Sequence, residues 1–149
     1  MQQADLLQHL KYQKPQQALI TITTDTTGSF SASFTVPPST SGYHTIISKD
    51  ASGNSDDKKF KVTPSISLLP ASGPAGTPVT VSGKGFAASS TVKITFDGIT
   101  QTTLPATITT DPAGSFTATF TTPSSTTGSH TVKATDASLH SASATFNVS

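Results

Sequence analysis

Cysteine, tryptophan and arginine are all absent from the 149 residues. Without cysteine, no disulfide or thiolate–metal framework can staple the fold. Without arginine, the nine lysines stand as point charges against eight carboxylates, for a net charge of +1. That balance excludes a phosphate-backbone footprint, so no nucleic acid is expected as a partner. Only Tyr12 and Tyr43 supply tyrosine rings, which leaves little for a carbohydrate platform. No apolar run approaches the roughly 18 residues that span a bilayer, so membrane insertion is not expected. Met1-Gln2-Gln3-Ala4-Asp5 has neither the basic start nor the apolar core of a signal peptide. An exported form of the chain would on that reading be a mature or truncated piece.

Serine and threonine fill about a third of the chain, while charged residues are 11%. Threonine is β-branched and suits a pleated, half-exposed surface, so strands are favoured over helices. Such a low-charge, threonine-rich surface points to an extracellular or cell-surface setting.

The chain repeats itself. "TTDTTGSFSASFT" at 23–35 returns as "TTDPAGSFTATFT" at 109–121, 86 residues later. At that offset 24–63 matches 110–149 without a gap and about half the positions are identical. A period of this length is too long for a solenoid and suits a tandem β-sandwich module. The expected fold is therefore all-β, with tandem immunoglobulin-like sandwiches, the second complete and the first partial.

The second copy, 64–149, reads as seven short strands separated by turn signals. They are placed at 66–69, 79–82, 92–96, about 106–110, 115–121, 129–135 and 142–148. Val92, Ile94 and Phe96 share one phase, as do Phe116, Ala118 and Phe120, and Ala142, Ala144, Phe146 and Val148. Alternation of this kind means sheets with one buried and one wet face. Asp111-Pro112-Ala113-Gly114 is a type I turn signal. Gly73, Gly76, Gly83 and Gly85 mark turns or crossings between sheets, Pro74 and Pro78 stiffen the first connection, and Phe86 plugs one end of the sandwich. These are folding residues, together with Phe116, Phe120 and Phe146.

The first copy, 18–63, retains only the four later strands, at about 18–24, 29–36, 43–49 and 58–62. Residues 1–17 are different text, with Leu6, Leu7, Leu10 and Tyr12. They read as a short amphipathic helix or as a substitute strand lined by Leu6, Gln8, Leu10 and Tyr12. A sandwich lacking its first strands leaves Phe30, Phe34, Ile46 and Phe60 on an open face, and open apolar edges recruit strands. A donated strand burying some five inward residues would gain on the order of 10 kcal/mol, against about 1–2 kcal/mol per residue for ordering a free arm. Three explanations stay open: a piece cut from a longer array, completion by the chain's own arm, or a strand donated by an identical chain.

The opening of the second copy carries a family resemblance. Ile66, Pro70, Ser72-Gly73-Pro74, Gly76-Thr77, Val79, Val81 and Gly83-Lys84-Gly85-Phe86 resemble the first strands of IPT/TIG-type immunoglobulin-like domains. Pro123 through Gly128 and His130-Thr131-Val132 is similar to bacterial and archaeal cell-surface variants. The resemblance covers 64–149 and the later half of the module in 18–63, and departs at 1–17. It implies stalks, adhesins, surface-layer proteins or accessory modules of secreted enzymes. The family's DNA-binding branch uses basic loops that this chain lacks. Fold-level likeness carries no site with it.

Candidate chemistry is sparse. Asp50, Ser52, Asn54 and Asp56 alternate like calcium-loop ligands, but no glutamate closes the loop, and a simple hairpin with an Asx-type turn explains the pattern better. His44 and His130 hold equivalent places, where each can cap a sandwich end with a hydrogen bond; a metal or pH-sensing pair is the alternative. No Ser–His–Asp spacing, phosphate loop or metalloprotease motif stands out, and no cofactor is expected. Asn147-Val148-Ser149 is formally a glycosylation acceptor. The expected role is a non-enzymatic spacer repeat joined at Thr63-Pro64, with neighbouring repeats or identical chains as partners. A self-assembling fibre subunit and a carbohydrate-binding adhesion module are the alternatives.

Overall fold

The computed structural model describes residues 19–149, and the arm at 1–17 lies outside the described residues. A boundary between Pro38 and Ser39 divides the chain into two units.

In the first unit, residues 19–37 carry no strand, although 18–24 and 29–36 were expected to form two. What forms is a turn: Gly28 N–H donates to Asp25 O (3.0 Å) and Asp25 N–H to Ser29 O (2.8 Å). The reason lies in the counterparts 86 residues on, which are strands only because other strands hydrogen-bond them. The first copy has no text equivalent to those partners, and a strand without a ladder leaves its backbone groups to water. Phe30 and Phe34 are accordingly exposed.

The second unit is built from twelve strands. β1 (Gly42–Lys49) and β2 (Ser55–Val62) form a hairpin on their own. After Thr63 and Pro64 come β3 (Ser65–Leu69), β4 (Ser72–Gly73), β5 (Pro78–Lys84), β6 (Thr91–Phe96), β7 (Ile99–Thr100), β8 (Thr103–Leu104), β9 (Ile108–Thr109), β10 (Phe116–Thr121), β11 (Gly128–Asp136) and β12 (Ser141–Val148). One sheet has the order β3-β5-β10-β8, and the other β4-β12-β11-β6-β7, with β9 also on β6. This is the immunoglobulin-like sandwich expected for 64–149.

The two sheets bury the phases read from the sequence. Val79 and Val81 of β5 and Phe116, Ala118 and Phe120 of β10 face Ile94 and Phe96 of β6, Val132 and Ala134 of β11, and Phe146 of β12. Several details depart from expectation, among them the short strands β7 and β8, which fall where no strand was expected. The segment after β3 is more than a turn, because β4 pairs parallel to β12 (Asn147 with Ser72, Val148 with Gly73) and carries the chain from one sheet to the other. The strand expected at about 106–110 is only the two residues of β9.

Candidate functional site

One turn design appears four times, at Asp25, Asp50, Asp111 and Asp136. In each, the aspartate N–H donates to the carbonyl four residues on and its own carbonyl accepts from the residue three on. The residue at that third place has positive φ: Gly28 (80°), Gly53 (94°), Gly114 (76°) and Leu139 (68°). This is a three-residue hairpin loop that ends in the left-handed region. The carboxylate locks it. Asp111 Oδ1 accepts from the N–H groups of Ala113 (2.9 Å) and Ser115 (2.8 Å). Asp25 Oδ1 does the same for Thr27 (2.8 Å) and Ser29 (2.9 Å).

This geometry settles where the calcium-like residues stand. Asp50 accepts from Asn54 N–H (2.9 Å) and Asn54 Nδ2 (2.7 Å), which closes the turn. Asp56 lies beyond it on β2 and pairs with Lys58 Nζ at 3.2 Å. Among the described residues no group of three or more His or carboxylate side chains could hold a metal.

Leu139 occupies a place where the other three turns have glycine, and it is 82% exposed. Left-handed backbone costs a residue with a Cβ about 1–2 kcal/mol. Glycine returns about 0.4–1 kcal/mol of that through the freer unfolded chain. Leu139→Gly is therefore expected to stabilise the sandwich by about 0.5–1 kcal/mol. A higher urea midpoint at unchanged m-value would bear this out, and a lower midpoint would refute it.

Asp136 differs from its counterpart Asp50 in being buried. Burial works to raise its pKa, but Ala87 N–H at 2.8 Å, His140 Nδ1 at 3.0 Å and His140 N–H at 2.9 Å outweigh it and hold the carboxyl below its ordinary value. Its Oδ2 reaches the loop after β5, 49 residues back. It ties one end of the sandwich together.

His130 caps the other end of the sandwich, and His44 caps the open end of the β1–β2 hairpin. His44 Nε2 lies 2.7 Å from Thr40 O, and His130 Nε2 lies 2.8 Å from Thr126 O. His130 adds Asp97 Oδ2 at 2.6 Å and stacks on Phe96 with centroids 5.0 Å apart. Sequence reasoning missed Asp97, 33 residues away, because nothing local marks it. With an acceptor at each ring nitrogen the imidazolium donates twice. The Asp97 carboxylate first, then the Thr126 carbonyl, raise the His130 pKa. His130 in turn, followed by Thr131 N–H, lowers that of Asp97. A raised folded pKa for His130 means stability present below 6.5 and lost as pH rises through the folded value. A lowered value for Asp97 means stability present above 3.8 and lost as pH falls through the folded value. The pair thus supports the fold most between these limits. Calorimetry from pH 5.5 to 8.5 is expected to show a falling Tm that His130→Gln flattens; equal slopes would show the pair to be silent.

The opening motif falls at the two ends of β5, with Gly73, Pro74 and Gly76 before its start and Gly83, Gly85 and Phe86 at its far end. Gly83 leaves room for the Phe116 ring, which any Cβ there would overlap. Gly73 packs against Thr77, and Gly76 N–H donates to Thr122 O at 2.8 Å. Pro74 O accepts from the Thr77 hydroxyl at 2.7 Å. Phe86 is wholly buried, edge-on to Phe116 with centroids 5.3 Å apart. Its N–H donates to Gly114 O at 3.0 Å, and its carbonyl accepts from Ser41 N–H at 3.2 Å. A Cβ on Gly85 would stand 2.7 Å from Thr63 O and 3.2 Å from Val62 Cγ1. The Gly85-Phe86 turn therefore receives the open end of the β1–β2 hairpin.

That hairpin repeats β11–β12 in register: Gly42 pairs with Val62 as Gly128 does with Val148. Its Ile46 and Phe60 are exposed, where Val132 and Phe146 are fully buried. The same face carries Asp56 and Lys58, where the second copy has Ala142 and Ala144. Two surface hollows are open and shallow, one over Gly83, Lys84, Asp111 and Phe116 and one over Val92, Lys93, Asp136 and Leu139.

No curated protein matches the chain. Residues 64–148, more than half of the chain, match the IPT/TIG domain. With a complete sandwich over the matched residues, the chain belongs to the IPT/TIG domain family, whose members are non-catalytic immunoglobulin-like modules.

Proposed function

We propose that the chain is a spacer repeat of an extracellular or cell-surface protein, holding other domains away from the surface. The observation that carries the reading is the junction. Only Thr63 and Pro64 separate β2 from β3, and the hairpin end is fastened to the sandwich by Ser41 on Phe86 and by Thr63 and Val62 on Gly85. A two-residue link with proline and a packed contact transmits orientation and tension, which a loose linker does not.

The fibre reading loses ground on the charged pair of the hairpin, Asp56 and Lys58. A sheet closed over the β1–β2 hairpin would bury Asp56 and Lys58, and desolvating an ion pair costs several kcal/mol per ion. Carbohydrate adhesion has one tyrosine on the hairpin, the exposed Tyr43, with Lys61 Nζ 5.7 Å from its ring centroid. Protease treatment of intact source cells tests the spacer reading. Release of peptides from this chain before lysis supports it, and release only after lysis overturns it. Light scattering across a dilution series separates the fibre: a constant monomer mass is expected, and a mass that grows with concentration would favour strand donation.

A further inference from the structure

The contact at Gly85-Phe86 has one side that the chain contains twice. Its hairpin side consists of Thr40, Ser41 and Gly42 entering β1, and Val62 and Thr63 leaving β2. The counterparts at the open end of β11–β12 are Thr126, Thr127 and Gly128, with Val148 and Ser149. The backbone is set alike in both, since the strand pairing is in the same register and each histidine holds the carbonyl four residues before it. What differs is cover. Thr40, Ser41 and Gly42 are half-buried, whereas Thr126, Thr127 and Gly128 are exposed. The second surface is also held more firmly, because Ser149 N–H donates to Gly73 O at 3.2 Å and Thr131 N–H to Asp97 Oδ1 at 2.8 Å. A surface fixed in advance loses little entropy when it is covered.

We propose that Thr127, Gly128 and Ser149 form a docking surface for the Gly-x-Gly-Phe turn of a further IPT/TIG-type repeat. The occupant follows from continuity: it is the interface already present at Gly85-Phe86, one repeat on. A second copy of this chain does not serve, because its own turn is filled by its own hairpin. Thr127 N–H would take the role of Ser41 N–H, donating to the incoming phenylalanine carbonyl. The Ser149 carbonyl would take the role of Thr63, lying where only a glycine can approach. This deepens the spacer reading and rests on it in one respect, that repeats follow one another.

The test appends a second 64–149 directly after Ser149 of the full chain, so that Ser149 meets proline as Thr63 does. Amide hydrogen exchange is read by NMR, with Ser41 as reference in the same molecule. Thr127 is expected to slow by about tenfold or more relative to the unextended chain. Gly85→Ala in the appended repeat alone is expected to return it to the original rate. A second readout needs no variant: residual dipolar couplings of the two sandwiches are expected to fit one alignment tensor. Thr127 exchanging at its unextended rate while Ser41 stays slow, or two independent tensors, would overturn the proposal. A fast Ser41 would overturn it as well, by removing the contact on which it is built. Protease release from cells reports location alone, so a failed surface assignment and a failed docking surface give separate results.

Discussion

Phe146→Ala is expected to destabilise the sandwich by about 3–5 kcal/mol, and Phe60→Ala by less than about 1 kcal/mol. The two phenylalanines hold the same place in the repeat, 86 residues apart, each opposite a histidine on the neighbouring strand. Phe146 is 0% exposed between two sheets, edge-on to Phe96 with centroids 6.5 Å apart. Truncating it removes buried carbon and leaves a cavity whose walls, strands of two hydrogen-bonded sheets, can close only in part. Phe60 is 41% exposed on a two-stranded hairpin, so its truncation opens no enclosed space. A domain is stable by roughly 5–15 kcal/mol in all, so the first loss approaches the whole and the second is a perturbation. Urea unfolding followed by far-ultraviolet circular dichroism reads both. Similar midpoint shifts for the two variants would mean that the first copy packs its phenylalanine as the second does, contrary to its exposure.

The contrast between these residues also marks what was legible in the sequence. Strands β3, β5, β6, β10, β11 and β12 were each foreseen to within a few residues, because alternation such as Val92, Ile94, Phe96 records a face pressed against a core. The same kind of text at 29–36 forms no strand. Alternation says that a strand would have an apolar face; it does not say that a ladder partner exists, and here the partner's text is missing. The polar interruption at Asp56 and Lys58 was readable by setting them against Ala142 and Ala144, but counting identities passes over the positions that differ. β4 was out of reach, since two residues carry no period. Asp50 and Asp136 begin the same Asp-Ala-Ser motif, and only the fold brings Ala87 N–H to one of them. The candidate surface was half legible: Thr63-Pro64 and the Gly-x-Gly-Phe turn were both singled out, while their contact, which defines the junction, was not.

Gly114→Ala tests the hub of that junction, with Gly28→Ala as its internal control. Both glycines end the same aspartate turn with nearly equal φ, 76° and 80°. Each alanine therefore meets the same left-handed penalty of about 1–2 kcal/mol, partly offset by about 0.4–1 kcal/mol from the stiffer unfolded chain. At Gly28 an added Cβ has nothing within 4 Å. At Gly114 it would overlap the Phe86 carbonyl oxygen and stand 3.0 Å from the Phe86 nitrogen. Phe86 cannot retreat freely, because its ring is buried and its N–H is bonded to Gly114 O. Overpacking of this kind adds about 1–3 kcal/mol, so Gly114→Ala is expected to lose about 2–4 kcal/mol in total. Gly28→Ala should leave the unfolding curve of the sandwich unmoved. Since the displaced carbonyl is the one that accepts from Ser41, the damage should also travel: the Ser41 amide should exchange faster in Gly114→Ala under conditions where the sandwich remains folded. A destabilised sandwich with a Ser41 amide as slow as in the parent would show that core and junction are separable, and that Phe86 does not link them.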